Sequence, residues 1–350
     1  MNNSEWGSRL RSQYIARNSG SKIRNIRVPD EGELRLRGNS EQLTISIGNA
    51  AASESNMQTS AGAFDGWLFA IRHWCNVRKF HIELQDGAQL TGTHGGRTQF
   101  RLRKLAELLG QEISFGETLK SEMTKHAWQP GLGVWLNVAG SMHGPKTAPY
   151  TLVKESDLEI ALCYDADLSG QLVEKFGLIR RPHAKYADAM PALCRQFPVG
   201  VFSKDPAKTR KYDIICPKGK SAIDLVGVDI KQAFHIFELK KPNAISVGAL
   251  SELLFYANLM HEARKGGAIS FSAGKSDPEA RVHGNDVHAS TAIRAHLLVP
   301  DRHPLLPDDF FAEITSLAQK ANWEFSIDAF DLRETIPAIT SRLPAKRAAA

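Results

Sequence analysis

Two short apolar runs, and the helix that follows them, constrain this chain more than any other feature. The runs are "AIDLVGV" (222–228) and "AFHIFELKK" (233–241), and "VGALSELLFYANLMHEAR" (247–264) comes next. Runs of that length and composition suit strands covered on both faces. Each is interrupted by charge: Asp224 in the first, Glu238 and Lys240 in the second. Side chains at i and i+2 of a strand share a face, so Glu238 and Lys240 project together while Leu239 turns away. Charges in such a place are costly unless they are paired or bound to something. If the strands are neighbours, two carboxylates and an ammonium converge at one end of a sheet.

Hard divalent cations take oxygen ligands, typically one or two carboxylates completed by water and substrate phosphate. Asp224 and Glu238 meet that need, and the backbone carbonyl of Leu239 offers a third ligand. Mg²⁺ (or Mn²⁺) held there would activate a water and stabilise charge on a phosphodiester. Lys240, whose pKa falls if desolvation dominates, would orient or help deprotonate that water. The plainer reading is an ion pair at a strand end beside a satisfied turn carboxylate. The order of two apolar strands and then a helix favours the metal site.

The series Asp224, then Glu238-Leu239-Lys240, resembles the D-x(n)-E-x-K motif of the PD-(D/E)XK nuclease superfamily. Ile223 stands where the motif's proline is often found. The helix "GALSELLFYANLM" resembles the family's Q-L-x-x-Y helix, with Glu252 in place of Gln and Tyr256 one turn further on the same face. The resemblance covers roughly 150–330 and is strongest over 197–260. It implies an α/β fold with a restriction-endonuclease-like core, a mixed central sheet flanked by helices. It further implies a Mg²⁺-dependent nuclease, an endonuclease acting on DNA, in genome defence or repair, with a homodimer or a partner protein as company. Catalytic roles would fall to Asp224, Glu238, Lys240 and Glu252. Lys220, Lys241 and Tyr256 would touch nucleic acid. The family also supplies an acid from the first helix, here Glu159 or Glu174, between which the sequence does not choose. The alternative is a catalytically silent nucleic-acid-binding protein, or a subunit active only within a complex.

The rest of the chain is less specific. Net charge is +6, which suits a polyanionic partner without demanding one. Residues 1–30 are polar and basic, with Arg9, Arg11, Arg17, Lys22, Arg24 and Arg27 against one acid before Asp30, Glu5. They read as a flexible arm, either touching phosphates or simply solvated. Residues 31–145 read as an N-terminal α+β domain of unknown role: a strand or hairpin over 33–47, a helix over 64–74, a strand over 79–87, and 97–111 passing from strand into helix. Trp67, Trp74, Trp128 and Trp135 suit core packing better than base stacking. "GSMHGPKTAP" (140–149) reads as a linker before the domain at 150–335. There, helical pieces are expected near 156, 171–176 and 185–195, a long loop over 265–290, and a basic tail from 336 to 350. Two "GKS" triplets lack the upstream glycine of a phosphate-binding loop, and His283 and His288 have no partners at metal-ligand spacing. The four cysteines lie far apart and suit free thiols. No apolar run is long enough to span a membrane, and the expected location is the cytoplasm.

Overall fold

The fold is that of a computed structural model, which describes residues 1–18, 26–54, 56–125, 134–136, 151–183, 186–208, 214–216, 221–242, 244, 246–264, 269–272 and 280–344. The expected linker at 140–149 lies outside the described residues. The chain opens with α1 (Asn3–Arg17), where a tail was expected. An Asn2–Glu5 capping box starts the helix, and Trp6, Leu10 and Tyr14, four residues apart, form its buried stripe. That stripe is only three residues wide, and the arginines around it mask the periodicity.

A hairpin of β1 (Leu34–Gly38) and β2 (Gln42–Ile47) follows. Helix α2 (Phe64–Cys75) leads to β3 (Lys79–Leu84), and α3 (Gly92–Leu109) leads to β4 (Ile113–Phe115), with α4 (Glu117–Thr124) after it. The sheet order is β1-β2-β3-β4, and β2, β3 and β4 run parallel. Parallel neighbours need long crossovers, here helical, so this half is α/β where α+β was expected. Residues 97–111 contain no strand, because Leu102, Leu105 and Leu109 extend a helix that began at Gly92.

The second half adds a short strand, β5 (Val134–Leu136), then α5 (Glu155–Tyr164) and α6 (Ala166–Phe176). After β6 (Arg180–His183), strands β7 (Tyr186–Pro191) and β8 (Leu193–Pro198) occupy the region expected to be helical at 185–195. Next come β9 (Val201–Phe202), β10 (Ile214–Cys216), β11 (Ala222–Val228), β12 (Phe234–Leu239) and the long helix α7 (Gly248–Arg264). The expected loop at 265–290 contains β13 (Ile269–Phe271) and α8 (Gly284–His288). The chain closes with β14 (Ile293–Val299), α9 (Asp308–Lys320), β15 (Phe325–Asp331) and α10 (Leu332–Thr335). Past α10, Ile336, Ile339 and Leu343 are buried, so the terminal segment packs down at least that far.

The main sheet has the order β15-β14-β12-β11-β8. Strands β8, β11 and β12 pair antiparallel; β12, β14 and β15 pair parallel, the latter connected through α7 and α9. Strand β12 is central and every residue of it is buried, in keeping with its near-continuous apolar sequence. One face of the sheet carries Leu225, Phe237 and Leu239 into a cluster with Leu158 and Leu162 of α5 and Leu168 and Leu172 of α6. The other face carries Val226, Val228, Phe234 and Ile236 into a larger cluster that continues through α7 into Trp67, Phe69, Phe100 and the first sheet's Ile45 and Ile82. Helix α2 packs on α7 and α9, and α3 packs on α9. Covered on both sides, α7 is buried almost all round. A Cβ at Gly66 of α2 would lie 2.7 Å from Val247 Cγ1, so that close approach requires glycine. Among the described residues no helix is long and apolar enough to cross a membrane.

Candidate metal centre

The register of β11 against β12 fixes the first two side chains. Leu225 pairs with Phe237, so one step further along the ladder sets Asp224 across from Glu238. Residues directly opposite in an antiparallel pair share a face. Asp224 has the parity of Val226 and Val228, and Glu238 that of Phe234 and Ile236, so both carboxylates project toward the α7 side. Leu239 projects the other way, into the α5–α6 cluster. Its amide donates to Asp224 Oδ2 at 2.8 Å, which ties the two strand ends together.

Three further groups close around this pair. Lys240, just past the end of β12, contacts Glu238 Oε1 and lies 3.3 Å from Glu252 Oε2 and 3.6 Å from Glu155 Oε1. Glu252, on α7, also accepts from Tyr256 Oη at 3.3 Å and from the side chain of Gln58, which precedes α2. Glu155 reaches in from the first turn of α5. One oxygen each from Glu155, Asp224 and Glu238 lie within 4.8 Å of one another, a spacing that one cation can bridge. Among the described residues this is the one group of acids, histidines or cysteines so placed.

The helix acid of this cluster is thus Glu155, which the sequence reading did not name. Glu159, one turn further along α5, is buried but engaged elsewhere, accepting from Arg195 Nη2 at 3.0 Å and Gln196 Nε2 at 2.7 Å. Glu174 lies on α6, beside Gln171, Lys175 and Thr335 in a different cleft. Tyr256 is buried and turned into the cluster, whereas Lys241 is exposed. Lys220 lies outside the described residues. His288 is held to the Ala263 carbonyl at 2.9 Å, and His283 caps α8. Trp67 and Trp74 are core residues.

Electrostatics separate this arrangement from an ordinary strand-end ion pair, which would be neutral. Here four carboxylates, Glu155, Asp224, Glu238 and Glu252, surround the one ammonium of Lys240. Ionised together, they leave three negative charges unbalanced. Burial pushes Asp224 and Glu238 well above the usual carboxylate range, and for Glu238 the charges of Asp224 and Glu252 add to it. Glu155 is raised by burial as well. Burial also works against Glu252, but Lys240 and the hydrogen bonds it accepts outweigh that and hold it below its ordinary value. For Lys240, burial alone would lower the pKa, as the sequence suggested. The surrounding carboxylates reverse the sign and hold it well above the ordinary value. Lys240 is therefore held as a cation by the four carboxylates around it.

Two further details belong to the cluster. Glu238 Oε2 is buried with no hydrogen-bond partner, a costly state for a carboxylate oxygen. The ladder between β8 and β11 pairs Phe197 with Ile223 and Arg195 with Leu225 but skips the step between. There Gln196 holds a left-handed φ of 51°, an uncommon state for a non-glycine residue and one often found near functional sites. Hard oxygen donors of this kind, three carboxyl groups around a bare buried oxygen, fit a hard divalent cation such as Mg²⁺ or Mn²⁺. No family model, curated protein or solved structure matches the chain.

Proposed function

We propose that the chain is a metal-dependent nuclease of the PD-(D/E)XK type, hydrolysing phosphodiester bonds of nucleic acid, with DNA as its substrate. The observation that carries this reading is the convergence of Glu155, Asp224 and Glu238 on one cation-sized spot with the Lys240 ammonium against it. The element order supports it: a helix, three antiparallel strands, a helix and a parallel strand, with the acids on the second and third strands of the sheet.

In this reading Asp224 and Glu238 hold the ion directly and Glu155 binds it from the helix side. The bound Mg²⁺ or Mn²⁺ supplies Lewis acidity and a water of lowered pKa. Lys240, kept charged by its neighbours, orients the attacking water and offsets charge that builds on the scissile phosphate. Glu252 anchors Lys240 and stands outside the group of three acids whose oxygens lie within 4.8 Å of one another. The net positive charge of the chain favours approach to a polyanion.

Incubation of the purified chain with supercoiled plasmid, with and without Mg²⁺ or Mn²⁺ and alongside Glu238→Ala and Lys240→Ala, tests this directly. Nicking that needs the metal and disappears in both variants is expected. Metal-independent nicking, or nicking retained by both variants, would overturn the proposal.

A further inference from the structure

The side chain that fastens Glu252 comes from the other half of the molecule. Gln58 Nε2 donates to Glu252 Oε2, the same oxygen that faces Lys240 Nζ. Its backbone is seated on the first turn of α7: Ser246 Oγ donates to the Gln58 carbonyl at 3.1 Å, and a Cβ on Gly248 would lie 2.4 Å from that carbonyl oxygen. So close an approach is possible only because residue 248 is glycine.

The turn that carries Gln58 is fixed from behind. Thr59 N donates to Asn56 O at 3.2 Å, Trp67 Nε1 to Ser60 O at 3.2 Å, and Arg101 Nη2 to Gly62 O at 2.7 Å. Arg101 is also locked to Asp65 in a buried pair, and Asp65 accepts from Ser251, the neighbour of Glu252 on α7. Two consecutive residues of α7 are thus gripped by the first half, Ser251 through Asp65 and Glu252 through Gln58.

We propose that Gln58 is a positioning residue of the metal centre: by occupying Glu252 it fixes where the Lys240 ammonium stands relative to Glu238. The proposal rests on the nuclease reading for its catalytic consequence, but the chain of contacts from Gln58 to Lys240 does not. A residue that orients a group at the reacting atoms without touching them typically costs about 10–100-fold when removed. The loss should fall on kcat, since Gln58 acts through Glu252 and stands outside the group of acids that converge on the candidate ion site.

The test uses the full chain with Gln58→Ala, Gln58→Glu, Glu252→Ala and the Gln58→Ala/Glu252→Ala double variant. Gln58→Glu keeps the size of the side chain but sets a further carboxylate against Glu252 in place of the donor, so it should disturb Lys240 at least as much as Gln58→Ala, and the Tm of each variant separates that from a loss of fold. The first readout is the reactivity of Lys240 toward acetic anhydride, followed by mass spectrometry with exposed Lys241 as internal standard. Gln58→Ala and Glu252→Ala should each raise Lys240 labelling severalfold, and the double variant no further. The second is metal-dependent plasmid cleavage, where Gln58→Ala should lower kcat about tenfold with KM nearly unchanged. The double variant should be no slower than Glu252→Ala. Unchanged Lys240 labelling in Gln58→Ala, or losses that add in the double variant, would overturn the proposal. A wild-type chain that cuts nothing would sink the nuclease reading alone, and the labelling would still decide for or against Gln58.

Discussion

Replacing Glu238 by Gln keeps the shape of the side chain and removes one of the crowded negative charges. Without a divalent cation this variant should be at least as stable as the parent, because a buried oxygen lacking a partner no longer has to carry charge. With the cation the order reverses. Binding at a hundred times Kd stabilises the folded state by about 2.7 kcal/mol. At roughly 2.1 cal/mol/K per residue, 350 residues give an unfolding entropy near 0.7 kcal/mol/K, so the parent should gain about 4 °C in Tm. If the substitution weakens binding about a hundredfold, the same concentration gives only about 0.4 kcal/mol, which is a shift of roughly half a degree. Differential scanning fluorimetry in EDTA and in Mg²⁺ or Mn²⁺ reads both quantities. A parent whose Tm ignores the metal, or a variant that gains as much as the parent, would refute the reasoning.

The cluster also sets a pH dependence. Glu155, Asp224 and Glu238 have folded pKa values raised above their ordinary ones, so the folded state binds extra protons, and the stability they confer is lost as pH rises through those raised values. Glu252 runs the opposite way but is a single group. His73, His235 and His296, lowered by burial, tilt the whole chain the other way up to about 6.5, their ordinary value. The cluster's share is therefore read against Glu238→Gln: the metal-free Tm of the parent should fall relative to that of the variant as pH climbs above about 4.5, the ordinary Glu value. Saturating Mg²⁺ should flatten or reverse that difference; a parent that gains on the variant over this range would contradict the assignment. Glu159→Ala strands buried Arg195 and should cost about 3–5 kcal/mol of stability in chemical denaturation, while a loss of metal binding with no loss of stability would make Glu159 a ligand after all. Trp6→Ala empties a fully buried site in α1 and should cost about 3–5 kcal/mol, whereas a cost near zero would restore the first residues to a loose tail.

The strands of the site were legible because their composition is decisive. Continuous apolar runs interrupted by Asp224, Glu238 and Lys240 leave few arrangements other than buried strands with charge at one end, and the register follows once β11 and β12 are neighbours. The helix acid was not legible. Glu155 and Glu159 lie one turn apart on the same helix, and which of them meets the strands depends on where α5 sits along the sheet and on Arg195 claiming Glu159, a long-range matter. Gln58 was hidden for the same reason: it lies 194 residues from its partner in a segment with no periodic pattern. Helix α1 was missed because a stripe of three apolar residues among arginines is a weak signal, and tertiary burial rather than propensity holds it. The run at 185–195 was read as helical, but Leu193, Cys194 and Arg195 extend the edge of a sheet whose other strands supply the stability.

The core that runs from Ile45 and Ile82 through Phe100 and Phe255 to Phe234 is continuous, and Phe100 meets Phe255 edge-on at 5.7 Å. Its consequence concerns modularity. Severing the chain near residue 145 would strip α7 of its outer cover and wet Phe255, Leu253 and Leu254 together, so neither piece would keep its shape alone. Grafting a foreign unit onto the half that carries the acid cluster is closed off by the same packing. Room for change in such a molecule lies in its exposed turns, with the interior left whole.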